Sequence, residues 1–319
     1  MLLTHNFLVT SKSIKSCLEL LVASGRNKND SIKTIATTGI INISNSDLDF
    51  EDFIFAALNC ISQHYPEAFN EIDTIIIVSQ SFEKRMPTIS TRIQNLLDFN
   101  EDCFCQDIID GCAGLIKAVE LVRGLFSVGR KRALVIAGDL NSLLTKESDI
   151  STQILFGDGF VFQVYESSQL AKATSRSLIR SNGDENLFLS CDFKNPKLVM
   201  NGFEVFRFTR NCVPSLLKKF LDNTGRTLNS YDFVIFHQAS LLVVQSLAKI
   251  CRYKSDFNLF NCSEFGNLGS GSIGAWLATD KSIKLNSHYN FLAIGFGAGL
   301  SLGVCDLDCN LKANEHFSI

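Results

Sequence analysis

With 319 residues, 46% of them hydrophobic, the chain can bury a large core as one big domain or two fused halves, which excludes extended disorder. A formal net charge of −3 offers no bulk attraction to nucleic acid or to an anionic membrane. No apolar run approaches the roughly 18 residues of a membrane-spanning helix, and Met1 to Phe7 lacks the leader and long apolar core of a secretory signal, so a soluble cytoplasmic protein is expected.

Met1 to Phe7 reads instead as a first strand. Further along, Ile72–Val78, Cys105–Ile109, Ala133–Ala137, Gly159–Val164, Phe233–Phe236 and Phe291–Ile294 are short apolar runs alternating with helical stretches, which predicts an α/β fold. Several are apolar at every position, the pattern of strands covered on both faces, as in a layered α/β/α/β/α body. Ile72–Val78 and Tyr231–His237 share an Asp before a buried strand, at Asp73 and Asp232, and each leads into a loop and an amphipathic helix. Ala133–Asp139 with Gly159–Tyr165 pairs in the same way with Leu292–Gly303. Internal duplication accounts for both matches, with halves over residues 1–168 and 169–319. In that alignment His237 takes the place of Val78, at the strand end where functional groups of such sheets gather. The polar stretch Asn141–Gln153 is expected to be a mobile covering loop.

Eleven cysteines, an odd number at scattered spacing, include no CxxC pair and no Cys/His cluster at zinc-like intervals. No metal site is expected, and most thiols read as small buried hydrophobes. Only Cys112 has a context that calls for chemistry. Cys105–Asp110 runs as a strand into Gly111-Cys112-Ala113-Gly114, and Leu115–Phe126 then has helical periodicity. A thiol at a helix start is favoured as thiolate by unpaired amides and the macrodipole, and its own amide can hold a carbonyl oxyanion. Taken alone, the turn fits a space-filling cysteine as well as a nucleophile.

Five stretches in order remove that ambiguity. Asp107–Gly114 resembles the nucleophile turn of the ketoacyl-ACP synthase III family of the thiolase superfamily. Phe156-Gly157-Asp158-Gly159 resembles its FGDGAGA segment, Phe236-His237-Gln238-Ala239-Ser240 its HQAN, and Phe265–Ser272 its GNTSAAS loop. Gly295-Phe296-Gly297-Ala298-Gly299 resembles its terminal glycine-rich turn. The resemblance implies a thiolase fold of duplicated halves in five αβαβα layers. It also implies Cys112 as acyl-carrying nucleophile with His237 and Asn267 as catalytic partners, and an oxyanion hole from the amides of Cys112 and Ala298. Phe296 would pack by the reactive centre. Met86 stands where the family commonly carries the residue that caps the acyl tunnel of the other subunit in a dimer.

The reaction so implied is acyl transfer to Cys112, then decarboxylative Claisen condensation with a malonyl-type thioester, in fatty acid or polyketide biosynthesis. It needs no cofactor beyond the thioester carriers, the phosphopantetheine of an acyl carrier protein or CoA. Relatives that grip the adenine of CoA use Trp and Arg side chains where this chain has Lys33, Thr37, Ile150 and Leu242. Arg207 and Lys249 occupy family positions that dock an acidic carrier protein, and Arg252 and Lys254 extend the patch, so a carrier-bound donor is expected. Two alternatives remain: an acyltransferase of the same fold that does not decarboxylate, and a noncatalytic subunit of a heterodimeric ketosynthase.

Overall fold

A computed structural model describes residues 1–168, 176–183, 188–192 and 195–319. The chain opens with β1 (Leu2–Thr10) and a short β2 (Ile14–Ser16). Helices α1 (Cys17–Ala23) and α2 (Lys28–Thr38) start on the capping side chains of Ser16 and Asn27, which accept the amides of Glu19 and Asp30. After β3 (Asn42–Ser44), Asp49 caps α3 (Phe50–His64), and β4 (Thr74–Ser79), α4 (Ile89–Leu96) and β5 (Phe104–Ile109) follow. The central helix α5 (Gly114–Ser127) leads to β6 (Arg132–Asp139), two single-turn helices α6 (Asn141–Leu144) and α7 (Ile150–Gln153), and β7 (Gly159–Glu166).

The second part of the chain carries β8 (Ser177–Ser181), a hairpin of β9 (Leu189–Asp192) and β10 (Asn195–Met200), and the long α8 (Gly202–Thr224). It continues through β11 (Phe233–Phe236), α9 (Leu241–Ile250), α10 (Ser272–Thr279) and β12 (His288–Gly297) to β13 (Ser301–Ser318). Each expected strand is present, β12 being longer than its apolar centre because its first residues are polar and partly exposed.

Among the described residues nine strands form one sheet, ordered β11-β12-β13-β1-β7-β6-β4-β5, with β8 also on β13. The pairing repeats. β4 runs parallel to β6, which runs antiparallel to β7, which runs antiparallel to β1. Likewise β11 runs parallel to β12, then β13 and β8 follow antiparallel. The two sets meet because β13 pairs with β12 from Ser301 to Asn310 and with β1 from Asp308 onward. The expected junction at 168/169 adjoins residues 169–175, which lie outside the described residues.

Layering follows from which face each side chain takes. Ile75, Ile77, Leu134 and Ile136 pack with Phe53 and Ile54 of α3 on one side. Their alternating neighbours Ile76, Val78, Val135 and Ala137 pack with Leu115, Ile116 and Val119 of α5 on the other. Helix α5 touches β4 and β6 and also β12 and β13, so it lies between the two sets of strands. Helices α8 and α9 cover the far side. This is the five-layer thiolase arrangement.

Asn141–Gln153 departs from the expected covering loop. Asn141 is buried and its Nδ2 donates to the Gly157 carbonyl at 2.6 Å, while Lys197 Nζ donates to the carbonyls of Leu143 and Thr145. Part of the polar composition here serves internal hydrogen bonding, while Glu147, Ser148 and Ser151 are exposed.

Helix α10 is held by a buried polar chain. Tyr165 Oη donates to Gln163 Oε1 at 2.7 Å, Gln163 Nε2 to Asn6 Oδ1, and Asn6 Nδ2 to the Gly274 carbonyl. Asn314 accepts from Asn6 and donates to the Leu277 carbonyl. Each bond is worth little net, but an orphaned partner in a dry site is costly. Tyr165→Phe is therefore expected to lower unfolding free energy by about 1–3 kcal/mol in urea titration; an unchanged midpoint would contradict this role.

Candidate active site

Cys112 lies on the turn between β5 and α5. Asp110 Oδ1 accepts the Gly111 amide at 2.8 Å, Gly114 donates to the Gly111 carbonyl at 2.7 Å, and the Asp110 carboxylate pairs with Lys117. Lys117 Nζ also donates to Ser301 Oγ at 3.0 Å, which ties the turn to β13. From the opposite side the end of β12 closes on the thiol. A Cβ at Gly297 would stand 2.9 Å from Cys112 Sγ and 2.8 Å from its Cβ, so only glycine lets the strand approach this closely.

Burial pushes the Cys112 thiol up to about 12; Asp139 adds in the same direction, its own backbone amide opposes, and Asp110 adds less. The helix start favours the thiolate, as expected of its amides, but in the closed site the desolvation of sulfur outweighs them. Asp139, unremarked in the sequence, is fully buried at the end of β6. Its Oδ1 accepts from Ser79 Oγ, Gln80 N and Ser81 N, its Oδ2 has no partner, and burial raises its pKa to about 7.

His237 follows β11, where its amide donates to the Ile294 carbonyl at 2.8 Å. Its Nδ1 lies 2.6 Å from Ser272 Oγ, and its ring meets the edge of Phe296 at 5.1 Å between centroids. Burial lowers its pKa to about 3, so the imidazole is neutral at physiological pH. Asn267 is held by its backbone: its amide donates to the Leu155 carbonyl, its carbonyl accepts the Gly157 amide, and it bridges to Phe156. The Phe156–Gly159 segment thus works as a clasp. A Cβ at Gly157 would overlap the Phe265 carbonyl oxygen, and Asp158 accepts the amides of Ser46 and Ser142. Asn267 Oδ1 accepts the Gly269 amide at 3.0 Å, which turns Nδ2 outward as a donor.

Cys112, His237 and Asn267 all line one cavity of about 240 Å³, together with Phe296 and Gly297. Leu155, Leu189, Met200, Phe206 and Leu242 make its walls apolar. The Cys turn, the histidine strand and the asparagine loop therefore share a space fit for a thioester. Ala298 opens the turn after β12 and its methyl lies 3.0 Å from where a Gly111 Cβ would stand, beside the Cys112 turn. Met86 is 86% exposed and lies off the cavity walls of its own chain. Thr37 and Leu242 line the cavity, whereas Lys33 is exposed.

The basic residues are spread more widely than expected. Arg207 is exposed, neighbours the cavity residue Phe206, and pairs with Glu204 at 2.5 Å. Lys249 stands at the far end of α9 from the cavity residues Leu242 and Val243, roughly 10 Å along the helix axis. Arg252 and Lys254 follow it, exposed. Among the described residues no three His, Cys, Asp or Glu side chains group as metal ligands, and no helix is long and apolar enough to cross a membrane.

A thiolase-like fold with a cysteine turn, a neutral histidine and a carboxamide at one apolar cavity defines an acyl-thioester condensing enzyme. The chain belongs to the 3-oxoacyl-[acyl-carrier-protein] synthase III family: the family's profile matches residues 106–183 and its C-terminal counterpart residues 221–308. It is 32% identical over 240 residues to the beta-ketoacyl-[acyl-carrier-protein] synthase III of Acholeplasma laidlawii, covering 75% of this chain and 76% of that one. The corresponding protein of Syntrophomonas wolfei is 28% identical, over 84% of this chain and 86% of its own. A solved 3-oxoacyl-(acyl-carrier protein) synthase from Burkholderia xenovorans superposes with a TM-score of 0.91 at 26% identity, over 100% of this chain and 97% of that one.

Two outcomes follow from the geometry. Gly297→Ala puts a methyl group against the sulfur and should slow acylation of Cys112 by about 10- to 100-fold with cooperative unfolding retained; acylation at the wild-type rate would contradict the close contact. Unfolded His237 takes a proton below its ordinary 6.5 while the folded ring resists until about 3, so stability falls as pH drops between those values. His237→Gln removes that contribution, up to about 1.4 kcal/mol per pH unit. Urea midpoints of the variant should decline less steeply from pH 6 to 4, and parallel declines would argue for an imidazole that protonates in the folded state.

Proposed function

We propose that this protein transfers an acyl group to Cys112 and condenses it with a malonyl-type thioester. Cys112 Sγ attacks the donor carbonyl, its proton leaves with the carrier thiol, and the acyl group stays on sulfur. The malonyl thioester then loses carbon dioxide, and the enolate oxygen accepts hydrogen bonds from His237 Nε2 and Asn267 Nδ2. Its carbon attacks acyl-Cys112. The tetrahedral oxyanion rests on the amides of Cys112 and Ala298 until the C–S bond breaks, and the departing thiolate takes a proton from solvent. No cofactor beyond the carrier's pantetheine is required.

One observation carries this reading: two neutral donors and a thiol line the same apolar cavity, with no carboxylate among the described residues that line it to oppose an enolate. A lower dielectric there strengthens both hydrogen bonds as charge develops. A donor delivered by an acyl carrier protein is supported by Thr37 and Leu242 at the cavity in place of arginines and by the exposed cations Arg207, Lys249, Arg252 and Lys254. We further infer a homodimer in which Met86 faces the other subunit's acyl tunnel, and duplicated halves over residues 1–168 and 169–319. Eleven free cysteines fit a reducing cytoplasm.

Intact-mass measurement with acyl donors on CoA and on carrier protein, paired with release of labelled carbon dioxide from malonyl carrier, tests the proposal. The expected result is an adduct on wild type that Cys112→Ser lacks. His237→Ala and Asn267→Ala should still load while carbon dioxide release falls by about 10²- to 10³-fold. Transfer product without carbon dioxide would select an acyltransferase, and no adduct with any donor would select a noncatalytic subunit.

A further inference from the structure

We propose that Ser272 is a positioning residue that fixes His237 as the tautomer protonated on Nε2. The inference rests on the condensing role assigned above to His237, and it concerns a residue outside the substrate's reach. Ser272 opens α10 and is fully buried. Its Oγ is 2.6 Å from His237 Nδ1 and accepts the Gln238 amide at 3.2 Å. That donor is the backbone N–H of Gln238, whose side chain anchors the residue. Gln238 Nε2 donates to the carbonyls of Phe236 and Leu259, and its Oε1 accepts the Asn261 amide at 3.0 Å.

The proton count then decides the tautomer. A serine hydroxyl has one proton to give, and a buried one needs an acceptor. Among the described residues the only acceptor within reach of Ser272 Oγ is His237 Nδ1. If Nδ1 carried the ring proton, Oγ would accept from both His237 and Gln238 and its own proton would be orphaned in a dry site. If Nδ1 is bare, the hydroxyl donates to it, the Gln238 amide donates to the hydroxyl, and every group is satisfied. The single proton of the neutral imidazole then sits on Nε2, the atom left to serve the cavity. With the opposite tautomer Nε2 would offer a lone pair to a developing enolate and repel it.

Histidine-selective ¹⁵N labelling with long-range ¹⁵N–¹H correlation reads the tautomer directly, and His237→Gln identifies the signals among the chain's five histidines. Wild type should show a protonated Nε2 and a bare Nδ1 from pH 5 to 8. Ser272→Ala should populate both tautomers and slow carbon dioxide release by about 10- to 100-fold. Loading of Cys112 should stay within about twofold of wild type, and Ser272→Thr, which keeps a hydroxyl, should recover most of the release. A protonated Nδ1 in wild type, or an alanine variant with unchanged tautomer and release, would overturn the proposal. Should Ser272→Ala fail to fold, the wild-type spectrum alone decides. A wild-type protein with Nε2 protonated but no carbon dioxide release would sink the condensing role while leaving the tautomer assignment standing.

Discussion

The contact between the Cys112 side chain and Gly297 holds the site together. One comes from the turn before α5, the other from the end of β12, and they are 185 residues apart in the chain. Because α5 packs between the two sets of strands, its start is pressed against both, and the missing side chain at Gly297 lets sulfur reach the cavity floor. Lys117 reinforces the arrangement by spanning Asp110 and Ser301.

Burial around that contact governs the chemistry of Cys112 and His237. It holds sulfur as thiol and imidazole as a neutral ring, so the empty site carries little charge on the residues that face substrate. Asn267 reaches the same condition by hydrogen bonding, with its oxygen occupied by Gly269 and its nitrogen turned outward. A site of this kind stabilises charge only where the reaction creates it, which is the economy of a preorganised enzyme.

Much of the frame was legible in the sequence. Strands apolar at every position announced two-sided burial, and the paired Asp–strand units at Asp73 and Asp232 matched a repeat of pairing directions between β4-β6-β7-β1 and β11-β12-β13-β8. Glycines flanking Cys112 marked the sharp turn. What could not be read were effects fixed by three-dimensional neighbours. The thiol's raised pKa depends on burial and on Asp139, which arrives from another strand end. Ser272 stood in plain view inside the loop with Asn267, yet its partner is decided by where α10 begins. Asn141–Gln153 read as a mobile covering loop because some of its polar groups, such as those of Asn141 and Asp149, bond to backbone groups of the fold, a pattern that composition does not distinguish from exposure.

A crystal structure of the protein with a non-decarboxylating malonyl-pantetheine analogue tests the central claim most directly. The analogue's thioester-equivalent carbonyl oxygen should lie about 3 Å from both His237 Nε2 and Asn267 Nδ2, with the malonyl carbon facing Cys112 Sγ. A carbonyl held by neither donor, or an analogue seated away from the sulfur, would contradict a shared site for the three residues.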